Sequence, residues 1–208
     1  IGIRQGELLI VAGGTGLGKS AVTRELTHHL ITNSPDKIGI IALEEDWRRT
    51  VDGIVSVAAN DKLHLAEVRD KYDEEQLSIL YNQLDLPEYD GEYLYNQVLS
   101  EDKIFIHAHF GVNSIEETLS KLRFMIIGCD CKWIIIDHLH MFVSGSDTLD
   151  ERRTIDNLMT NLRSLAAETN AGMICVSHLN RGSTEGHENG AEVKMHHIRG
   201  SAGIAHVA

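Results

Sequence analysis

The sequence predicts an α/β domain with a central, mostly parallel sheet flanked by helices. Three observations predict it. Apolar runs of strand length recur along the chain: ELLIVA at 7–12, IGIIAL at 38–43, IFIHAH at 104–109, WIIID at 133–137 and GMICVS at 172–177. The stretches between them carry apolar residues at helical spacing. The first run passes through a glycine-rich turn straight into such a stretch, and strands alternating with helices build parallel sheets.

The turn after the first strand is Gly13-Gly14-Thr15-Gly16-Leu17-Gly18-Lys19-Ser20, which satisfies G-x-x-x-x-G-K-[ST] at every fixed position. Glycines allow backbone N–H groups to turn inward as an anion nest, and a helix N-terminus adds partial positive charge. In this pattern Lys19 reaches the β- and γ-phosphates of a nucleotide, and the Ser20 hydroxyl ligates Mg²⁺. A glycine-rich turn that binds nothing is the alternative. The helix expected from Ser20 to Leu30 has Val22, Leu26, His29 and Leu30 on one face.

The second strand follows a Ser34-Pro35-Asp36 turn and ends in Glu44-Glu45-Asp46. A carboxylate at the C-terminal end of a strand in an open α/β sheet faces the ligand crevice, so Glu44 is a candidate base for activating water. Trp47 to about Leu99 reads as mostly helical and polar. Val51, Ile54, Val55 and Ala58 form one apolar stripe there; Leu77, Leu80, Tyr81 and Leu84 form another. Tyrosines 72, 81, 89, 93 and 95 lie among acidic residues and read as packing residues rather than base-stacking platforms.

After the third strand, Ser114-Ile115-Glu116-Glu117 is a capping box for a helix that turns Ile115, Leu119, Leu122 and Ile126 inward. The fourth strand ends in Asp137, the Walker B arrangement, whose carboxylate would hold Mg²⁺ through water. Thr148-Leu149-Asp150-Glu151 is a second capping box, opening a long helix with Ile155, Leu158, Leu162 and Leu165 on one face. The fifth strand leads to His178, a polar residue placed to contact a γ-phosphate. Beyond it come Asn180, Arg181, a glycine-rich loop to about Gly190, and Arg199-Gly200-Ser201-Ala202-Gly203. His107-x-His109 and His138-x-His140 pair histidines at alternate positions, but no further ligand completes a zinc set at recognisable spacing.

The chain has 208 residues and a formal charge of −12, which suits one domain and argues against a broad basic nucleic-acid surface. Residues 139–208 hold 8 of the 31 Asp/Glu, so most of the acidity lies outside the C-terminal third. Strand contact through a few loops stays compatible with that. Three cysteines in no redox or zinc spacing read as buried reduced thiols of a cytosolic protein. No apolar run has membrane-spanning length, so no membrane partner is expected.

Four blocks together resemble the RecA-like motor domain of replicative helicases: GGTGLGKS, the strand-end Glu of IALEED, WIIIDHLHMFVSG with DERRTIDNLMTNLRSLA, and VSHLNRG with HHIRGSAG. The resemblance covers nearly the whole chain. It is closest to the helicase half of phage bifunctional primase-helicases, and more distant to the Twinkle and DnaB helicases. It implies a RecA-like P-loop NTPase fold over 1–208 as one motor domain, a fragment incomplete at both ends. It implies ATP, or another NTP or dNTP, with Mg²⁺ as cofactors. Gly13 to Ser20 would cradle the phosphates, Glu44 act as general base, Asp137 hold the metal, and His178 take the γ-phosphate sensor position. Asn180, Arg181, Arg199 and Gly200 fall in segments that form DNA-contacting loops. Such enzymes assemble as homo-hexamers around single-stranded DNA, move 5′ to 3′, and work with primase and polymerase in the cytoplasm of a bacterial or phage-infected cell. No zinc-binding or primase domain, inter-subunit linker or arginine-finger strand is recognisable in this chain. A RecA-type recombination ATPase, a regulatory ATP-binding module and, more weakly, a small-molecule kinase are the competing readings.

Overall fold

The computed structural model describes residues 2–43, 45–83, 103–108, 115–142, 148–179, 194 and 197–198. Among the described residues five strands form one sheet: β1 (Leu8–Gly13), β2 (Lys37–Ala42), β3 (Ile104–Ala108), β4 (Cys131–Asp137) and β5 (Gly172–His178). Their order is β1-β5-β4-β2-β3, and every pairing is parallel. The helices among the described residues are α1 (Lys19–Asn33), α2 (Trp47–Ala59), α3 (Ala66–Arg69), α4 (Glu74–Gln83), α5 (Ile115–Arg123) and α6 (Thr148–Thr169). A π-helical turn, Phe124–Gly128, extends α5, and a 3₁₀ turn, Leu139–Phe142, follows β4.

Alternation along the strands sorts the core into two layers. Ile41, Ile134, Ile136, Met173 and Cys175 face one way, onto Leu122, Leu158 and Leu162 of α5 and α6. Ile38, Ile40, Ile135 and Ile174 face the other way, onto Ile31 of α1 and Val51, Ile54 and Val55 of α2. Strands covered on both faces read as unbroken apolar runs, which is why WIIID and GMICV show no polar alternation. Glycines make room where large side chains lie across the sheet. A Cβ on Gly172 would stand 2.3 Å from the Trp133 ring, and the Trp133 indole N–H donates to Asp36 at 3.1 Å.

The long-helix stripe is buried as its spacing predicts, with Ile155, Leu158, Leu162 and Leu165 all fully covered. In the Trp47–Leu99 stretch the described part is helical, broken at Asn60, whose left-handed φ of 51° ends α2. Helix α1 departs from expectation. Its buried positions are Lys19, Thr23, Thr27 and Ile31, while Val22 is exposed and only Leu26 and Leu30 of the expected face pack on the core. The physical reason is hydrogen bonding inside the helix. Thr27 Oγ1 donates to the Thr23 carbonyl at 2.7 Å and Thr23 Oγ1 to the Ser20 carbonyl at 3.0 Å, so buried hydroxyls are satisfied without leaving the helix. Cys131 and Cys175 are buried free thiols pushed up to about 12 by desolvation, whereas Cys129 is half-exposed.

Tyr89, Tyr93, Tyr95, His109, Ser114 and the loop at 181–190 lie outside the described residues. No helix among the described residues is long and apolar enough to cross a membrane.

Candidate active site

Parallel strands put all their C-terminal ends on one edge, and the candidate residues follow those ends. Strand β1 ends at Gly13, in register with His178 at the end of β5. Ala42, near the end of β2, is in register with Asp137 at the end of β4. The chain continues the alignment one residue further. Leu179 N donates to the Gly13 carbonyl at 3.2 Å, and Leu43 N donates to the Asp137 carbonyl at 2.9 Å. Four segments that are far apart in sequence therefore meet along one rim of the sheet, the place where open α/β sheets bind ligands.

The turn from β1 into α1 has the backbone that its glycines predict. Gly16 and Gly18 have left-handed φ values of 77° and 81°, which a Cβ would oppose. Gly18 is the N-cap of α1, makes no side-chain capping bond, and no acidic residue occupies the first turn. The first N–H groups of a 15-residue helix thus meet no capping side chain and no neutralising charge. Lys19 is 9 % exposed and folds back so that its Nζ donates to the Gly14 carbonyl at 2.8 Å. A Cβ on Gly13 would stand 3.1 Å from Lys19 Cγ, so the lysine stem lies directly over this glycine. Two left-handed glycines, an open helix terminus and an ammonium held at the loop form a cradle that fits a phosphate chain.

A cavity of about 270 Å³ runs along α1 between that helix, α2 and the sheet. Ser20 and Asp137 both line it, together with Arg24, Glu45, Arg49 and Thr50. A hydroxyl and a carboxylate lining one cavity are the hard oxygen donors that Mg²⁺ takes alongside water and phosphate, so the residues present fit that metal. Among the described residues no group of three His, Cys, Asp or Glu side chains is arranged to hold a metal by itself.

His178 does not stand alone. Its ring packs edge-on against His138, with centroids 4.2 Å apart, and His140 lies 5.9 Å from both rings. β4 ends at Asp137, so His138 and His140 leave the strand and sit on the turn behind it rather than sharing a strand face. Both are buried. Nothing in the spacing of residues 138, 140 and 178 foretells this cluster. Nor does sequence spacing reveal Arg24 and Glu45, which pair across 21 positions at 3.0 Å.

Of the expected site residues, the structure brings Gly13 to Ser20, Asp137 and His178 to one rim. Glu44, Asn180, Arg181, Arg199 and Gly200 lie outside the described residues, although the neighbours of several are seen. Leu179 forms an antiparallel bridge with Ile198 at the same rim.

A sequence model of the DnaB-like helicase C-terminal domain matches residues 1–208. The chain belongs to that family. It is 29 % identical over 207 residues to the DNA helicase/primase of Enterobacteria phage T3, a match spanning 98 % of this chain and 34 % of that protein. The chain thus spans about a third of the length of this curated relative. In fold it is similar to a solved ATPase domain, with a TM-score of 0.66 at 16 % identity over 99 % of this chain and 68 % of that one. A DnaB-like replicative helicase, solved in a study of its interactions with primase, matches with a TM-score of 0.61 at 18 % identity, over 86 % of this chain and 40 % of that chain. The parallel five-stranded sheet with helices on both faces is therefore the RecA-like fold of DnaB-type ATPase domains, and a nucleotide-using domain is what that family comprises.

Proposed function

We propose that this domain is the ATP-driven motor of a replicative DNA helicase that moves 5′ to 3′ on single-stranded DNA as a homo-hexameric ring and unwinds duplex. One observation carries the reading: the Gly13–Ser20 cradle, Asp137 and His178 lie on one rim of a chain whose whole length matches the DnaB-like family. The cradle amides and Lys19 hold the triphosphate, and Ser20 and Asp137 would hold Mg²⁺. The metal held there would supply neutralisation of the phosphate charge. Glu44 aligns the attacking water and accepts its proton. His178 contacts the γ-phosphate and reports its loss to the segments that follow Leu179 and Ile198. Asn180, Arg181, Arg199 and Gly200 belong to those segments and contact the DNA backbone. The partners are single-stranded DNA, further copies of the chain, and replication proteins such as primase and polymerase. The place of action is the cytoplasm of a bacterial or phage-infected cell.

The test is the ATPase rate of the protein at its natural length, with and without single-stranded DNA. The expected result is strong stimulation by DNA, loss of hydrolysis in Lys19→Ala, and loss of turnover with retained nucleotide binding in Glu44→Gln. A rate unmoved by DNA, with no DNA binding at low salt, would favour a regulatory ATP-binding module instead. Strand pairing without unwinding would favour a recombination ATPase.

A further inference from the structure

We propose that His138 and His140 form a seat that fixes the ring of His178 at the rim of the sheet. The proposal rests on the reading of His178 as the γ-phosphate contact and adds two residues to that contact. The backbone of His178 is held by the neighbouring strand. It lies in register with Gly13, the first residue of the cradle turn, and Leu179 N donates to the Gly13 carbonyl at 3.2 Å. Main-chain pairing leaves the ring direction open, because a histidine has three staggered χ1 wells and a broad χ2. The half-buried ring of His178 packs edge-on against His138, with centroids 4.2 Å apart and planes at 86°. His140 completes the group at 5.9 Å from both other rings, inclined by 61° to His138 and 58° to His178.

The seat itself is anchored in the core. His138 and His140 are 6 % and 4 % exposed. Between them Leu139 is fully covered and belongs, with Phe142, to the core layer that contains Ile155, Leu158 and Leu162 of α6. Met141 N donates to the His138 carbonyl at 3.2 Å and closes the turn. Two core anchors and a backbone bond thus hold the turn that carries both rings. His138 also directly follows Asp137, which lines the cavity with Ser20. One turn therefore touches the ring assigned to the γ-phosphate and is continuous with the carboxylate assigned to the metal. A side chain that visits its binding-competent rotamer only part of the time binds more weakly by that fraction. Edge-on ring pairs shift such an equilibrium by roughly two- to tenfold. His138 and His140 act through His178 and are positioning residues.

The test uses the natural-length protein and the ratio of two affinities: Kd for ADP over Kd for a non-hydrolysable ATP analogue, both with Mg²⁺. That ratio isolates the γ-phosphate contact. H138A and H140A should each lower it by roughly two- to tenfold, with Kd for ADP changed by no more than about twofold. H138F and H140F keep a ring in the seat and should recover part of the loss. Adding H140A to H178A should change the ratio by less than about twofold, since no ring remains to be held. Crystal structures should show the His178 ring in more than one rotamer in H140A and in a single one in H140F. Wild-type ratios in both H138A and H140A would overturn the seat. So would equal losses of ADP and analogue affinity, a full further loss in the H178A background, or a single wild-type His178 rotamer in H140A. Failure of the sensor reading shows elsewhere, as a wild-type ratio in H178A itself, and the seat is then judged on the His178 rotamers.

Discussion

Gly53 shows how much a single residue decides here. Exchanging it for alanine should favour α2 by about 1 kcal/mol on helix propensity alone. Yet the new Cβ would fall 2.2 Å from Arg24 Nε, inside any allowed contact, and the guanidinium must move. Forced overpacking costs about 1–3 kcal/mol, and the ion pair with Glu45 is lost as well. The expected outcome for Gly53→Ala is a lower urea midpoint, despite the better helix former. At this scale the sequence was legible where a backbone conformation or a chemical motif demands one residue type. Gly16, Gly18, Lys19 and Ser20 are of that kind. It was not legible where a residue's role comes from its partner. Nothing in the composition of α1 distinguishes Arg24 from a solvated arginine, and Glu45 reads as one acid in a run of three.

The elements differ in how plainly the sequence announced them. α6 carries Ile155, Leu158, Leu162 and Leu165 at helical spacing, and all four are fully covered. Leu158→Ala should cost about 2–5 kcal/mol, read as a lower urea midpoint with an unchanged m-value. α1 was harder to read, because hydrophobicity is a poor guide when a helix buries threonines against a cavity. Thr23 and Thr27 satisfy their hydroxyls on the helix's own carbonyls and so can face inward. Val22 is left exposed. Helix α5 was legible through Ile126, which is buried as its spacing predicts, but the change to a π-helical turn from Phe124, which leaves Phe124 and Ile127 exposed, has no signature in the apolar pattern.

For the molecule as a whole, parallel pairing is the decisive fact. It places the ends of β1, β5, β4 and β2 side by side, and the Leu179–Ile198 bridge lies beside them. If the proposed DNA contact through a few cations of this −12 chain holds, binding should show no sequence preference and lose affinity as salt rises. Anisotropy with two unrelated single strands at increasing salt should give coincident curves. Arg199→Ala should lower DNA-stimulated hydrolysis more than basal hydrolysis; equal falls would remove Arg199 from DNA contact.

The sequence by itself determined the α/β class, the five strands, the phosphate-cradle turn and the strand-end placement of Asp137 and His178. Each of these is a local property, set by apolar periodicity, by glycine conformational freedom or by a fixed spacing of chemical groups. The tertiary structure alone decided the strand order and the threonine face of α1. It alone decided the packing of His138 and His140 on His178, and the pairing of Arg24 with Glu45. Those depend on which surfaces meet when distant segments fold together, and distance along the chain carries no trace of that.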